Sequence, residues 1–308
     1  MAASGIHVRG IGAALAVAVL ALPVLAGCSA SGGGGGSGSG KVEVVAGENF
    51  YGDLVARVGG DLVSVTSVLS DPNVDPHTYE SSTQNAEQVA DATLVVENGL
   101  GYDAFLDHLL SASPRSDRKV IDVQQLLGLA DGSNPHIWYD PQTMPRVARA
   151  VADALEAQRP DSKTMFETNL QTYLDSFAPL TAKIAQIKKD HPAAPIIYTE
   201  PVPVYMIAAL GLTDLTPPGF AKAIEDGTDP APLDVAATQD LLTGHKVKAL
   251  LYNNQATSPV TTSIESLATK SGVPVVGVSE TMPAGADGYV GWQVAQLDAL
   301  ATALGGAK

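Results

Sequence analysis

The chain has 308 residues, of which 45% are hydrophobic and 5% aromatic, and its formal net charge is −15. This length accommodates two domains or one large domain with a sizeable core. The negative charge argues against a nucleic-acid-binding surface, because phosphate recognition needs clustered Lys and Arg side chains. The single cysteine, Cys28, excludes a disulfide framework within the chain.

Residues 1–27 have the organisation of an export signal peptide. Arg9 is followed by an apolar run from Ile11 to Val24, which has about the length of a signal h-region and is too short to span a membrane comfortably. The sequence Leu25-Ala26-Gly27-Cys28 resembles a bacterial lipobox. We therefore expect lipidation of Cys28, with a diacylglyceryl group on the thiol and an acyl chain such as palmitate on the new amino terminus. Several chains on one residue anchor a protein stably. A plain secretory signal with an incidental cysteine is the alternative.

The segment that follows Cys28 consists almost entirely of Ser and Gly, up to Gly40. No apolar side chain is available for packing there, so residues 28–40 are expected to form a lipidated, flexible tether. Signal, lipid and tether together predict a protein anchored to the extracytoplasmic face of the cell membrane.

The segment 41–160 alternates predicted strands with predicted helices. Strands are expected at 42–46, 62–69, 93–97 and 119–123, and helices up to 59 and at 83–91, 102–110 and 142–158. The last helix places Val147, Val151, Ala154 and Leu155 on one face. Strands that alternate with helices pair in parallel, so this segment predicts an N-terminal α/β lobe.

The segment 161–190 is predicted to be one connecting helix that begins at Asp161. It would be about 40 Å long at about 1.5 Å per residue, and Pro179 is expected to kink or break it. A C-terminal α/β lobe follows over 191–308, with strands at 194–199, 247–252 and 273–278, helices at 205–210, 233–243, 258–271 and 292–304, and a Pro/Gly/Asp-rich loop at 216–232. The predicted fold class is α/β, with two similar lobes, each a mainly parallel sheet flanked by helices, joined by one long rigid helix.

Four side chains stand just beyond predicted strands or in equivalent loops. His77 and His136 each follow a proline, which holds the backbone in a stiff loop. Glu200 and Glu280 each follow a short apolar strand. Because ligands of open α/β sheets bind at the carboxyl ends of the strands, the four side chains are predicted to converge on one divalent metal in the cleft between the lobes. Two imidazoles and two carboxylates suit Zn²⁺ or Mn²⁺ better than Cu⁺ or Ca²⁺.

These motifs resemble those of the metal-binding (zinc/manganese) solute-binding lipoproteins of bacterial ABC importers. The resemblance is carried by Asp75-Pro76-His77-Thr78-Tyr79-Glu80, Asn134-Pro135-His136-Ile137-Trp138, Tyr198-Thr199-Glu200-Pro201 and Gly277-Val278-Ser279-Glu280. It implies two lobes joined by a rigid helix, a transported divalent metal, ABC permease and ATPase partners, a monomer and no enzymatic turnover. In that family the third ligand is His or Glu, as Glu200 is here, and the fourth is usually Asp. Glu280 departs from that pattern, and Asp287 is its nearest substitute.

Several alternatives stay open at this point. Zn²⁺ is favoured and Mn²⁺ comes next, although the histidine-rich loop of many zinc receptors is absent between the first two ligands, where His108 is the only histidine. Carboxylates that could orient the imidazoles are Glu48, Asp75 and Asp140, and Trp138 and Tyr139 are expected to wall the cleft or to pack in the core. The competing functions are a metal-dependent hydrolase with Glu280 as general base, and a surface adhesion protein braced by metal.

Overall fold

The computed structural model describes residues 40–72, 74 and 76–305. The predicted signal peptide, Cys28 and nearly all of the Ser/Gly tether lie outside the described residues, and so does Asp75. Over the described residues, no helix combines the length and the hydropathy that crossing a membrane requires.

The first lobe contains four parallel strands in the order β2-β1-β3-β4. They are β1 (Val42–Glu48), β2 (Val63–Leu69), β3 (Leu94–Glu97) and β4 (Lys119–Asp122). The helices are α1 (Asn49–Gly59), α2 (Thr83–Asp91), α3 (Ala104–Ala112), α4 (Val123–Leu127) and α5 (Thr143–Gln158). Strand β1 is central and pairs on both sides, through Val44 with Val65 and with Leu94. Its run of buried apolar residues is typical of a parallel strand that helices cover on both faces.

The helices of this lobe follow the sequence pattern. Helix α2 begins with a reciprocal cap, in which the Ser82 hydroxyl accepts a hydrogen bond from the Asn85 N–H and the Asn85 side chain accepts one from the Ser82 N–H. Helix α5 buries the predicted face of Val147, Val151, Ala154 and Leu155. Burial of such a stripe, rather than intrinsic propensity, supplies most of the stability of a helix of this length.

The connecting segment consists of two helices, α6 (Lys163–Asp175) and α7 (Ala178–Asp190), rather than one uninterrupted helix. Pro179 has no N–H with which to bond the carbonyl of Asp175, and the N–H of Phe177 bonds the carbonyl of Leu174, three residues back, at 3.2 Å. Ser176 and Phe177 nevertheless keep right-handed helical dihedrals. The segment is therefore interrupted where Pro179 is expected to kink or break it.

The second lobe repeats the plan of the first, with four parallel strands in the order β6-β5-β7-β8. They are β5 (Pro195–Tyr198), β6 (Thr213–Asp214), β7 (Ala249–Asn253) and β8 (Val275–Val278). The helices are α8 (Val204–Leu210), α9 (Pro218–Glu225), α10 (Pro232–Thr243), α11 (Pro259–Lys270) and α12 (Gly288–Gly305). Helix α6 packs on α1 and α5, whereas α7 packs on α8 and α12, so the connecting helices belong to different lobes. The structure confirms the predicted fold class of two α/β lobes.

Three elements of the second lobe differ from the sequence prediction, because helix α9 and the two-residue strand β6 were not predicted and helix α12 is longer than predicted. The segment 216–232, predicted as a loop, contains α9, which begins with Pro218 in its first turn. Proline is tolerated there because the first N–H groups of a helix have no partner within it. Phe220 and Ala221 bury the inner face of α9. Helix α12 begins at Gly288, four residues before the predicted start.

The two lobes share one continuous core beneath the cleft. Phe50 of α1 stacks on Trp138 with ring centroids 4.7 Å apart, and Trp292 of α12 lies 6.1 Å from Phe50 on the other side. The Tyr289 hydroxyl donates to the carbonyl of Trp138 at 2.6 Å. Trp138 and Tyr139 are thus buried where the lobes meet. Edge and stacked aromatic contacts of this kind stabilise an interface beyond the area that they bury.

Candidate metal site

The carboxyl ends of three neighbouring strands form one side of the site. Glu200 lies two residues after β5, Asn253 is the last residue of β7, and Glu280 lies two residues after β8. Because β7 pairs in parallel with both β5 and β8, these three side chains emerge at the same edge of the sheet. All three are buried, with at most 1% of each residue exposed.

The two histidines come from the first lobe. His77 lies in a single 3₁₀ turn, Pro76–Thr78, which follows β2, and His136 directly precedes a second 3₁₀ turn, Ile137–Tyr139. The His136 side chain has no exposed surface, whereas 28% of the His77 side chain is exposed. His77 is therefore the histidine on the solvent side of the cluster.

The four predicted residues converge across the cleft. The His77 Nε2 atom lies 3.2 Å from Glu200 Oε1 and 3.4 Å from Glu280 Oε2. The His136 Nε2 atom lies 3.5 Å from the same Glu280 oxygen. Two ligand atoms that are each about 2.1 Å from a tetrahedral cation stand about 3.4 Å apart. The observed spacings therefore suit a single transition-metal ion bound between these atoms.

The ring of His136 is oriented by a hydrogen bond through Nδ1, as the rings of metal-binding histidines commonly are. Its Nδ1 atom lies 2.9 Å from the Asn134 side-chain oxygen, which also accepts the His136 backbone N–H at 2.8 Å. The Asn134 amide nitrogen donates to the carbonyl of Pro201 at 2.7 Å, which fixes the orientation of the amide. Since an amide oxygen only accepts, Nδ1 donates to Asn134, and Nε2 is the ring nitrogen that faces the carboxylates. That Nε2 atom is buried and has no hydrogen-bond partner among the described residues.

Asn253 holds the two carboxylates side by side. Its Nδ2 atom donates to Glu200 Oε2 and, at 2.8 Å, to Glu280 Oε1. The Tyr102 hydroxyl donates to the other Glu280 oxygen at 2.9 Å. These bonds leave Glu200 Oε1 buried without a hydrogen-bond partner in the described chain. The carboxylate oxygen that remains open therefore faces His77.

A glutamine, Gln255, fixes the backbone at Glu280, the predicted fourth ligand. The Gln255 side-chain oxygen accepts the N–H groups of Glu280 and Thr281, at 2.6 and 2.9 Å. The Gln255 amide nitrogen donates to the carbonyl of Pro72 in the first lobe at 3.0 Å. One side chain thus links the loop that carries Glu280 to the loop that leads to His77.

Even without a cation, the site favours the protonated form of His77 and the ionised form of Glu280. Burial acts to lower the pKa of His77, but the adjacent carboxylates of Glu200 and Glu280 outweigh it and raise that pKa to about 11. Burial likewise opposes ionisation of Glu280, yet the two imidazoles hold its pKa well below the usual range. A cation that binds here therefore replaces a proton on His77.

We predict that Zn²⁺ or Mn²⁺ binding at pH 7.5 releases about one proton, because the metal-free protein carries a protonated His77 and a metal-binding imidazole is neutral. Calorimetric titrations in two buffers that differ in ionisation enthalpy measure this number. The same binding enthalpy in both buffers would contradict it.

In the metal-free protein the raised pKa of His77 also contributes stability that is fully present below about pH 6.5 and is lost as the pH rises towards about 11.

Other residues singled out in the sequence lie elsewhere. The Asp287 side chain is fully exposed and lies 3.9 Å from an Arg57 nitrogen, so the structure brings Glu280 to the cluster and not Asp287. His108 and His245 are exposed on the surface. Asp140 accepts the N–H of Gln142 at 2.9 Å and contributes to the start of α5.

Glu48 does not orient an imidazole either. Its carboxyl group is fully buried and has no hydrogen-bond partner in the part of the chain that the structure describes. Burial, followed by the nearby carboxylates of Asp103 and Glu97, raises its pKa well above the usual value. Asn134 occupies the position beside His136 that a carboxylate was expected to fill.

Sequence reasoning assigned no ligand or supporting role to five residues of the site, namely Tyr102, Asn134, Glu225, Asn253 and Gln255. Asn253 directly follows the predicted strand 247–252 and Tyr102 lies five residues after the predicted strand 93–97, so the rule that ligands bind at carboxyl ends could have found both. Asn134 lies inside the quoted motif of His136. Glu225 ends α9, and its Oε2 atom lies 3.9 Å from His136 Nε2.

Comparison with known proteins places this geometry in context. The family model for the periplasmic component A of zinc-uptake complexes matches residues 44–303. The chain is 26% identical over 144 residues to the manganese-binding lipoprotein MntA of Halalkalibacterium halodurans, covering 45% of this chain and 47% of that protein. It is 26% identical over 148 residues to the manganese ABC transporter substrate-binding lipoprotein PsaA of Streptococcus mitis, covering 44% and 48%. The matched region thus spans about half the length of these curated relatives.

The fold has solved counterparts. The structure is similar to that of the periplasmic zinc-binding protein TroA from Treponema pallidum, with a TM-score of 0.73 and 21% sequence identity over 86% of this chain and 99% of that one. At this identity the likeness concerns the fold alone. It covers both lobes, which agrees with the two parallel sheets described above.

Proposed function

The chain belongs to the family of the periplasmic A components of zinc-uptake complexes, and from this membership we propose that it is the substrate-binding component of an ABC importer for a divalent transition metal. Members of this family are solute-binding proteins and not enzymes. The protein captures one cation between its lobes and delivers it to a membrane permease that an ATPase subunit drives. It acts as a monomer, since each chain supplies a complete set of ligands.

One observation carries this proposal. His77 of one lobe lies 3.2 Å from Glu200 and 3.4 Å from Glu280 of the other, and His136 lies 3.5 Å from Glu280, all measured between potential ligand atoms. Four protein ligands nearly close the coordination sphere, which suits binding and release better than catalysis at a metal-bound water. Residues from both lobes make up the set, so movement of one lobe relative to the other breaks it.

Release of the cation then depends on contacts that link the lobes. Asn49 of α1 and the backbone of Met282 exchange two hydrogen bonds, of 2.8 and 2.9 Å. The Tyr139 hydroxyl donates to the carbonyl of Ser279, next to Glu280, at 2.7 Å. Because the lobes share a core below the cleft, we expect a small shift of the loops and lobes, and not a wide hinge opening, to release the metal.

We propose Zn²⁺ as the first candidate cargo and Mn²⁺ as the second. Zn²⁺ exceeds Mn²⁺ in intrinsic affinity for nitrogen and oxygen ligands, so the purified protein binds it more tightly, while supply determines the cargo in the cell. The names of the curated relatives, which specify manganese, keep Mn²⁺ in the proposal.

The proposed location of the protein rests on the sequence motifs near its amino terminus. The lipobox at Cys28 and the Ser/Gly tether predict a protein that is lipid-anchored on the extracytoplasmic face of the membrane. The relatives are themselves named lipoproteins, which supports this proposal. A tether of this length lets the folded lobes reach a permease in the same membrane.

The function is tested by adding Zn²⁺, Mn²⁺, Fe²⁺ and Ca²⁺, one at a time, to the metal-stripped protein. We expect one equivalent of Zn²⁺ or Mn²⁺ to bind and to raise the melting temperature, because a ligand of the folded state adds about 4 kcal/mol at 1,000 times its Kd. Zn²⁺ is expected to give the largest shift and Ca²⁺ none. Failure of every transition metal to bind stoichiometrically would refute the proposal.

A further inference from the structure

Glu225 lies between the deep carboxylates and the solvent. It is the last residue of α9 and lines a cavity of about 290 Å³, together with His77 and Tyr102. Glu200 and Glu280 do not line this cavity and have fully buried side chains. A cation at the four-ligand site therefore has Glu200 and Glu280 behind it and Glu225 on the side of the opening.

The Glu225 carboxylate faces His136, and one of its two oxygens has no hydrogen-bond partner among the described residues. Its Oε2 atom lies 3.9 Å from His136 Nε2, and both atoms are buried without hydrogen-bond partners among residues that the structure describes. Within the same set of residues, no Lys or Arg nitrogen lies within 4 Å of Glu225, whereas Lys222 of the same helix pairs with Asp226 at 2.7 Å. A buried carboxylate oxygen without a partner is unfavourable unless something binds to it.

The ligand atoms of His77, His136 and Glu225 form a second, overlapping group. One ligand atom from each residue lies within 4.8 Å of the other two, as is also true of His77, Glu200 and Glu280. The two groups share His77. Ligand atoms about 2.1 Å from one cation can lie up to about 4.2 Å apart when they are on opposite sides of it, so small movements bring Glu225 into the same coordination sphere.

We propose that Glu225 is a further ligand of the transported metal and that its carboxylate binds the cation from the solvent side, together with His77 and His136. This inference rests on the proposed function. The complete set is then two imidazoles and three carboxylates. The cation gains a fifth protein donor, and α9 becomes the element that must move away for the metal to leave.

A fifth donor has a consequence for metal preference. Zn²⁺ is satisfied by four ligands in a tetrahedral arrangement, whereas Mn²⁺ prefers more ligands and an oxygen-rich set. Glu225 therefore contributes more to the binding of Mn²⁺ than to that of Zn²⁺. Its removal is expected to widen the difference in affinity between the two metals.

The test compares Glu225→Gln with Asp226→Asn. Both substitutions remove one negative charge from adjacent positions, but Asp226 is exposed and paired with Lys222. Competition titrations with a metal-binding dye give the Kd for each metal. We expect Glu225→Gln to weaken Mn²⁺ binding by about 10- to 100-fold and Zn²⁺ binding by less, the range typical of lost support at a metal site. Asp226→Asn is expected to change both values by less than about twofold.

The outcomes separate this inference from the function on which it rests. Kd values for Mn²⁺ and Zn²⁺ that are the same in Glu225→Gln and in the unsubstituted protein overturn the role of Glu225 alone. Absence of stoichiometric metal from the unsubstituted protein overturns the proposed function. A melting temperature of the metal-free Glu225→Gln variant near that of the unsubstituted protein shows that the variant is folded when the affinities are compared.

Discussion

His136→Ala is expected to reduce the affinity for Zn²⁺ or Mn²⁺ at least about 100-fold, which corresponds to about 2.7 kcal/mol. His136 is fully buried, its Nδ1 atom is held by Asn134, and its Nε2 atom has no hydrogen-bond partner in the described chain. Alanine leaves a gap that water can fill only partly, because the side chain lies behind Trp138 and Tyr102. Isothermal titration of the metal-stripped variant measures the loss.

Two substitutions serve as matched controls. His108→Ala removes an exposed histidine from α3, and Asp287→Ala removes the carboxylate that the sequence offers as an alternative fourth ligand. Both are expected to leave the affinity within about twofold of the original. If His136→Ala binds metal as tightly as these controls do, the cation is not held where the four side chains converge. If Asp287→Ala matches His136→Ala in its loss, the fourth ligand is Asp287 and not Glu280.

The sheet edge at which Glu200 and Glu280 lie could be predicted from chain direction, whereas their convergence with His77 and His136 on one metal rests mainly on the motifs that carry the family resemblance. Parallel strands end at one edge of a sheet, and a residue that follows such a strand is committed to that edge wherever the helices lie. For the two glutamates this part of the prediction needs the order of strands and helices, which the apolar runs and the Gly and Pro positions indicate. The roles of these four residues as ligands stay a prediction that the substitutions test.

The polar partners of the ligands depend on tertiary contacts that no local pattern encodes. Asn253 reaches both Glu200 and Glu280 only because β7 lies between β5 and β8, an order that the sequence does not state. Tyr102 comes from the other lobe and is 178 residues away from Glu280 in the chain. Predicting either contact requires the sheet order and the way in which the lobes close.

Glu225 was obscured for a different reason. The segment 216–232 has the Pro, Gly and Asp composition of a loop, yet prolines at 217 and 218 also suit the first turn of a helix. Only the burial of Phe220 and Ala221 distinguishes a helix from a loop here, and this burial depends on the neighbouring elements. The two-residue strand β6 is likewise too short to show a periodicity.

Asn253→Ala is expected to lower the free energy of unfolding of the metal-free protein by about 3 kcal/mol. Its amide donates to Glu200 and Glu280, and hydrogen bonds to charged groups contribute about 1.5–3 kcal/mol each. Without it two buried carboxylates lie side by side with fewer donors, which is costlier than the loss of a surface bond. Urea denaturation in the presence of a chelator measures the change. The neighbouring Asn254 is exposed, and Asn254→Ala is expected to change stability by less than about 0.5 kcal/mol.

Asn253→Asp separates lost hydrogen bonds from charge repulsion. A third carboxylate would stand where the Asn253 amide now lies, within 2.8 Å of Glu280, so one carboxyl group of the three would have a raised pKa in the folded state. A raised carboxyl pKa gives stability that is present below that pKa and lost as the pH rises through it. The deficit of Asn253→Asp relative to Asn253→Ala is therefore expected to be larger at pH 8 than at pH 5. An equal deficit at both pH values would show that the three carboxylates do not interact, and that Asn253 does not hold Glu200 and Glu280 together for a cation.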